Sequence, residues 1–121
     1  MRWEEGRQKT GYLVTRLFQS AKLRADCWLI YYPTGSYILA HTDSAPGFKH
    51  YRLNIDLRKA KKGGKLKCEE PIFRFWRFNF FRSDRLHFVT EVREGTRLVL
   101  SVGWLRKSNE RGSLQTVWGN E

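Results

Sequence analysis

Thr96-Arg97-Leu98-Val99-Leu100-Ser101-Val102-Gly103-Trp104-Leu105 is the stretch whose reading decides the fold. In an extended chain Leu98, Leu100, Val102 and Trp104 face one way, and Arg97, Val99, Ser101 and Gly103 face the other. One face is bulky and apolar; the opposite face is small. An arginine on the small face is badly placed in a solid core, because an unpaired buried charge costs several kcal/mol. It is well placed where that face lines a cavity holding an anion. The strand therefore belongs to an architecture with an interior.

Outward from this strand, turn formers recur at short intervals: Pro33-Thr34-Gly35, Ala45-Pro46-Gly47, Gly63-Gly64, Ser83-Asp84 and Glu94-Gly95. The runs between them are rich in β-branched and aromatic residues. They predict strands near 26–32, 36–42, 49–57, 65–68, 72–76, 78–82, 86–92 and 96–105, the strand count of a jelly roll. Ahead of them, Leu13, Val14, Leu17, Phe18 and Ala21 recur at helical spacing and predict one amphipathic helix over 7–24. Residues 106–121 read as a surface tail pinned by Val117 and Trp118.

The chain has 121 residues, enough for a single domain over 1–121, and its 40% hydrophobic and 15% aromatic content excludes wholesale disorder. Its longest apolar run, Cys27 to Tyr32, is closed by Pro33, too short to cross a membrane. The N-terminus lacks the layout of a secretory signal, so a cytoplasmic protein is expected, with Cys27 and Cys68 as free thiols. The net charge is +11 and uneven: residues 49–85 hold 12 basic and 4 acidic residues. Arg58, Lys59, Lys61, Lys62, Lys65 and Lys67 surround Gly63-Gly64 with no acid between them. Such a cluster serves either as a solvated, edge-protecting hairpin or as a footprint for phosphates and acidic partners.

Histidine is scarce, at 41, 50 and 87. His41 stands two residues before Asp43, and an extended strand projects both from one face toward a single ion. With three His and four Asp, a His-x-Asp triplet arises by chance about one time in ten, so context must support it. His87 completes a set of two histidines and one carboxylate if its strand lies beside the first, the arrangement of non-haem Fe(II) oxygenases. Zinc at the same ligands, in a cupin-like hydrolase or sensor, is the competing metal reading. Arg97 follows His87 by ten residues across the Glu94-Gly95 turn, and its fork suits a carboxylate.

Together these residues resemble the Fe(II)/2-oxoglutarate-dependent dioxygenases, especially compact prolyl-hydroxylase-like bacterial and phage members. The matching elements are Tyr32-x-x-Gly35, His41-Thr42-Asp43, Gly63-Gly64, the run from Phe81 to Val89 around His87, and Val92-Arg93-Glu94-Gly95-Thr96-Arg97. They extend from about residue 26 to 105 in the family's order. The resemblance implies a mainly β, cupin-like double-stranded β-helix over about 26–105, with the N-terminal helix packed outside. It implies iron held by His41, Asp43 and His87, with Arg97 binding the distal carboxylate of 2-oxoglutarate and Tyr32 hydrogen-bonding the same group. Dioxygen would be consumed, succinate and carbon dioxide released, and a substrate hydroxylated or demethylated. Val99 stands where some relatives carry serine, and the N-terminal support is short, so the covering elements are either minimal or supplied by a second subunit in a homodimer.

Other residues read more plainly. His50 has no carboxylate at ligand spacing and belongs at the surface or near the cavity mouth, and Asn54, if buried, requires a hydrogen-bond partner, either in a pocket role or as a structural bond. Tyr31 adjoins Tyr32, and one of the two must simply pack. The run Phe73-Arg74-Phe75-Trp76-Arg77-Phe78-Asn79-Phe80-Phe81-Arg82 would be a stacking platform for single strands on a surface. Its alternation instead predicts two core strands with arginines exposed at their edges. A non-catalytic basic nucleic-acid-binding module is the second functional reading, and a nucleic acid or an acidic protein is a candidate substrate of the first.

Overall fold

The computed structural model describes residues 2–43 and 46–107. Its elements are β1 (Glu4–Glu5), β2 (Leu13–Ser20), β3 (Ala25–Tyr32), β4 (Ile38–His41), β5 (Phe48–Arg58) and β6 (Lys62–Gly63), then β7 (Leu66–Cys68), β8 (Pro71–Phe75), β9 (Phe78–Arg82), β10 (His87–Val89), β11 (Val92–Glu94) and β12 (Arg97–Lys107). A seven-stranded antiparallel sheet has the order β1-β2-β3-β12-β5-β9-β8; β4-β10-β7 and β11-β6 form two smaller sheets. The buried cluster of Tyr12, Tyr32, Leu66, Phe81, Val89, Val92 and Val99 draws on all three. The large sheet is therefore packed on one face by the small ones, as in a jelly roll.

No helix occurs among the described residues, which corrects the helix expected over 7–24. Gly11 adopts a φ of 104°, and Leu13–Ser20 pairs with β3 along its length. A bulge between Arg16 and Phe18 shifts the side-chain parity there. That one-residue slip turns strand alternation into paired apolar positions that imitate a 3.6-residue period. The strand expected over 86–92 is divided between β10 and β11, since Thr90 turns aside to receive Lys65: its N–H donates to the Lys65 carbonyl, and its Oγ1 accepts from the Lys65 N–H. Arg106 and Lys107, expected in a surface tail, belong to β12; the rest of that expected tail, with its pinning residues Val117 and Trp118, lies outside the described residues.

The aromatic run was expected in the core, and this too is corrected. β8 is the edge strand, exposed along its length, with Phe73 52%, Phe75 65% and Trp76 68% exposed. Phe81 alone of the run's aromatics is buried, and Arg82, expected at an exposed edge, is buried with it. Arg82 donates from Nε and Nη2 to the two carboxylate oxygens of Asp84 at 2.7 and 2.6 Å, with Glu70 3.4 Å from Nη1. The fork explains why Asp84 is held below the ordinary carboxylate pKa despite its burial. That contribution to stability is complete at neutral pH and is lost as pH falls below the unfolded aspartate value toward the lower folded one. Asp84→Ala should destabilise by about 3 kcal/mol, because it leaves a buried guanidinium with one distant partner. Urea midpoints at pH 7 and pH 3 check this: the gap between wild type and variant should narrow in acid.

Two glycines are required by close approach. Gly63 has a φ of 75°, and a Cβ there would run into the Glu91 carbonyl oxygen. Gly64, with a φ of 63°, leaves room for Val92 Cγ2 and for the Arg97 side chain, whose Cδ would lie 3.5 Å from an added Cβ.

Candidate metal centre

His41 ends β4 and His87 opens β10, and the two are register partners across the antiparallel pair. Their rings therefore project from one face, with centroids 4.3 Å apart. Asp43 follows two residues after His41. Its Oδ1 is 3.5 Å from His41 Nε2 and its Oδ2 is 3.6 Å from His87 Nε2, and one donor atom from each residue lies within 4.8 Å of the others. The resemblance's three ligands thus converge, on strands distant in sequence.

The same local bond orients both rings. His41 Nδ1 is 2.9 Å from the Leu39 carbonyl and His87 Nδ1 is 2.9 Å from the Arg85 carbonyl, each two residues upstream. A carbonyl oxygen only accepts, which assigns the proton to Nδ1 and leaves each Nε2 lone pair free for an ion. Burial, together with repulsion from His41, lowers the pKa of His87 and so favours the neutral, ligating form. Phe81 packs against the His87 ring with centroids 5.2 Å apart.

Asp43 is positioned through its backbone. Its N–H donates to the Ser83 carbonyl at 2.8 Å, and its carbonyl accepts from His50 Nδ1 at 3.1 Å. Ser83 in turn donates its N–H to the His50 carbonyl at 2.9 Å. His50 is thus a buttress beside the site. Gln8, which the sequence reading placed in a helix, pairs with the Leu39 backbone: Oε1 accepts from Leu39 N at 2.6 Å and Nε2 donates to Leu39 O at 3.0 Å. Nε2 also lies 3.3 Å from His41 Nδ1. Exposed Arg7 reaches to 3.6 Å from Asp43 Oδ1.

At the start of β12, Arg97 is 2% exposed and sits opposite Tyr32 of β3. Its guanidinium lies 4.8 Å from the Tyr32 ring centroid. Burial raises the Tyr32 pKa, with the Arg97 charge acting in the opposite direction. Tyr31 pairs with Leu98 on the other face and packs against Trp3, so Tyr32 is the tyrosine on Arg97's side.

The small face of β12 is lined by polar side chains of β5. Asp56 of β5 accepts from Arg97 Nε and Nη2 at 3.0 and 2.9 Å. Arg52 from the same strand occupies the space over Gly103, donating to Ser101 Oγ at 2.6 Å and to Asp26 Oδ1 at 2.5 Å. Asn54 Oδ1 accepts from Ser101 Oγ at 2.6 Å, which supplies the partner its burial requires. Only Arg97 Nη1, among the described residues, is a buried side-chain polar atom without a partner. Arg52, Asn54 and Asp56 went unrecognised as a set, although their spacing of two was a signal that all three share one face.

No family model matches the chain, and no curated protein matches it in sequence. Among solved structures it is similar to the viral collagen prolyl hydroxylase from Paramecium bursaria Chlorella virus-1, determined as a 2OG complex. The TM-score is 0.50 at 17% identity, over 81% of this chain and 62% of that one, so the chain spans less than two thirds of its neighbour's length. The likeness is one of fold: the chain shares the antiparallel β architecture of that hydroxylase.

Proposed function

We propose that this protein is a non-haem Fe(II)- and 2-oxoglutarate-dependent dioxygenase. The observation that carries the reading is the convergence of His41, Asp43 and His87, with Nε2 of both rings directed at one carboxylate. The donor set fits iron, since two imidazoles and one carboxylate on one side leave further positions open. When bound, the iron would couple decarboxylation of 2-oxoglutarate to hydroxylation or demethylation of a substrate, with dioxygen as oxidant.

The chain's own residues would divide the remaining work. Leu39 and Arg85 carbonyls hold the ligand rings in the ligating tautomer, and Ser83 and His50 fix the carboxylate's backbone. Arg97 Nη1, buried and unpartnered, would donate to the distal carboxylate of the cosubstrate, beside Tyr32. An unsatisfied buried donor costs about 1–3 kcal/mol, which a bound carboxylate recovers. 2-Oxoglutarate should accordingly raise the melting temperature of the metal-loaded wild type and should do so far less for Arg97→Met.

Anaerobic titration of the metal-free protein with Fe(II) and then 2-oxoglutarate tests the assignment. A visible charge-transfer band requiring both additions supports it. Absence of the band in folded protein, or tight Zn(II) binding with no response to 2-oxoglutarate, overturns it in favour of a zinc or non-catalytic role.

A further inference from the structure

The face of the seven-stranded sheet that points away from the metal centre is aromatic and basic across β12, β5, β9 and β8. Register partners share a face, which assigns to it Tyr51 of β5, Phe78 and Phe80 of β9, Trp104 of β12, and Phe73 and Phe75 of β8. Phe80 and Trp104 stack with centroids 5.5 Å apart, and Tyr51 stacks on both, at 5.9 and 6.2 Å. Leu29, Leu53, Leu100 and Val102 continue the face with apolar side chains.

Its charges around the aromatic row have one sign, with the exposed Glu5 standing at the far edge beyond β2. Lys49, Arg58 and Arg106 lie on the same face, and none forms an ion pair among the described residues. The face's fourth cation, Arg82, is engaged by Asp84 and Glu70 at one border. At the hairpin tip beyond β8, Trp76 adopts a φ of 54° while 68% exposed, with the Arg77 guanidinium 5.4 Å from its ring centroid. A bulky residue in the left-handed region with no burial to hold it there is an outlier of the kind found at binding surfaces.

We propose that this outer sheet face binds single-stranded nucleic acid, with bases stacked on the aromatic row and phosphates on Lys49, Arg58 and Arg106. Charge complementarity selects this occupant. A second copy of the chain would bring a like-charged face and a net charge of +11 against the same +11. A polyanion with exposed π-faces matches both the cations and the stacked rings, and every base can use such a surface. The inference goes beyond the oxygenase reading and does not depend on it, because the metal ligands lie elsewhere.

The test is fluorescence anisotropy of the full chain, metal-free, with fluorescein-labelled 20-mers of dT and U and with a blunt duplex of equal length. Single strands should bind more tightly than the duplex, with a log–log salt slope of about −2 for three neutralised phosphates. Phe75→Ala with Trp76→Ala, both in exposed positions the fold can spare, should weaken binding about tenfold or more. Arg58→Gln with Arg106→Gln should flatten the salt slope. His87→Ala should bind oligonucleotide like wild type, so loss of the oxygenase assignment would leave this result standing. No binding at 50 mM salt, equal affinity for the duplex, or indifference to the aromatic substitutions overturns the proposal. A stable dimer by light scattering that Phe80→Glu dissolves also overturns it, and assigns the face to a second copy.

Discussion

His87→Ala protein, titrated anaerobically with Fe(II) and 2-oxoglutarate, is expected to show no chelate band while keeping its β circular dichroism. In the proposed site His87 would supply one of three donors, and substitutions one shell further out already cost about 10–100-fold in metal affinity, so loss of the ligand itself should exceed that range. Gln8→Ala supplies the contrast. It removes the amide that holds Leu39 and approaches His41 Nδ1, and should weaken iron binding by about tenfold while the band survives at saturation. Competition titration with a chromophoric chelator measures both. Equal affinities in wild type and His87→Ala would remove the residue from the site.

The second large effect is on stability. Asp56→Ala should destabilise by about 3–5 kcal/mol, because it strands the Arg97 guanidinium in the interior. For a chain of this size that corresponds to a melting temperature lower by roughly 10–25 °C. The double variant Asp56→Leu/Arg97→Met should recover much of the loss, since it removes both charges from the interior. The cycle separates two roles of Arg97. The double variant should fold well and still fail to respond to 2-oxoglutarate; if it responds as wild type does, the cosubstrate's carboxylate is held elsewhere.

Much of the β architecture was legible because turn chemistry is local. Pro33-Thr34-Gly35 and Glu94-Gly95 end strands by their own backbone preferences, and β9 falls on the predicted 78–82. The N-terminal strand was not legible, because the bulge at Arg16–Phe18 is created by pairing with β3, a contact that spacing along one segment cannot reveal. The exposure of Phe73, Phe75 and Trp76 was hidden for a related reason. Alternation reports that a strand has two faces, whereas its position at the sheet's edge depends on which strands lie beside it.

At the candidate site His41, Asp43 and His87 were legible as residue types at a spacing that allows them to converge. Tyr32 could be separated from Tyr31 only through its register with Arg97. Asp56 was not legible as the partner of Arg97 because the pair joins strands 41 residues apart, which only the β5–β12 register brings together. The alternation of Arg52, Asn54 and Asp56 placed three polar groups on a face that faces Ser101 and Val99. Polar residues at spacing two inside an otherwise apolar strand are therefore worth pairing with a buried charge before any ligand is invoked.

The Lys61-Lys62-Gly63-Gly64-Lys65 segment has an implication for sequence drift. Its lysines are mostly solvent-facing, and Lys61 and Lys62 share one carboxylate, Glu94, so one can be exchanged while the other keeps the contact. The two glycines have no such freedom: one abuts a carbonyl oxygen and the other the flank of Arg97. Divergent descendants of this chain should therefore lose the positive charge of the segment well before they lose the glycine pair. In an alignment of them the charge would read as variable decoration, and the glycines would mark the floor beneath the buried arginine.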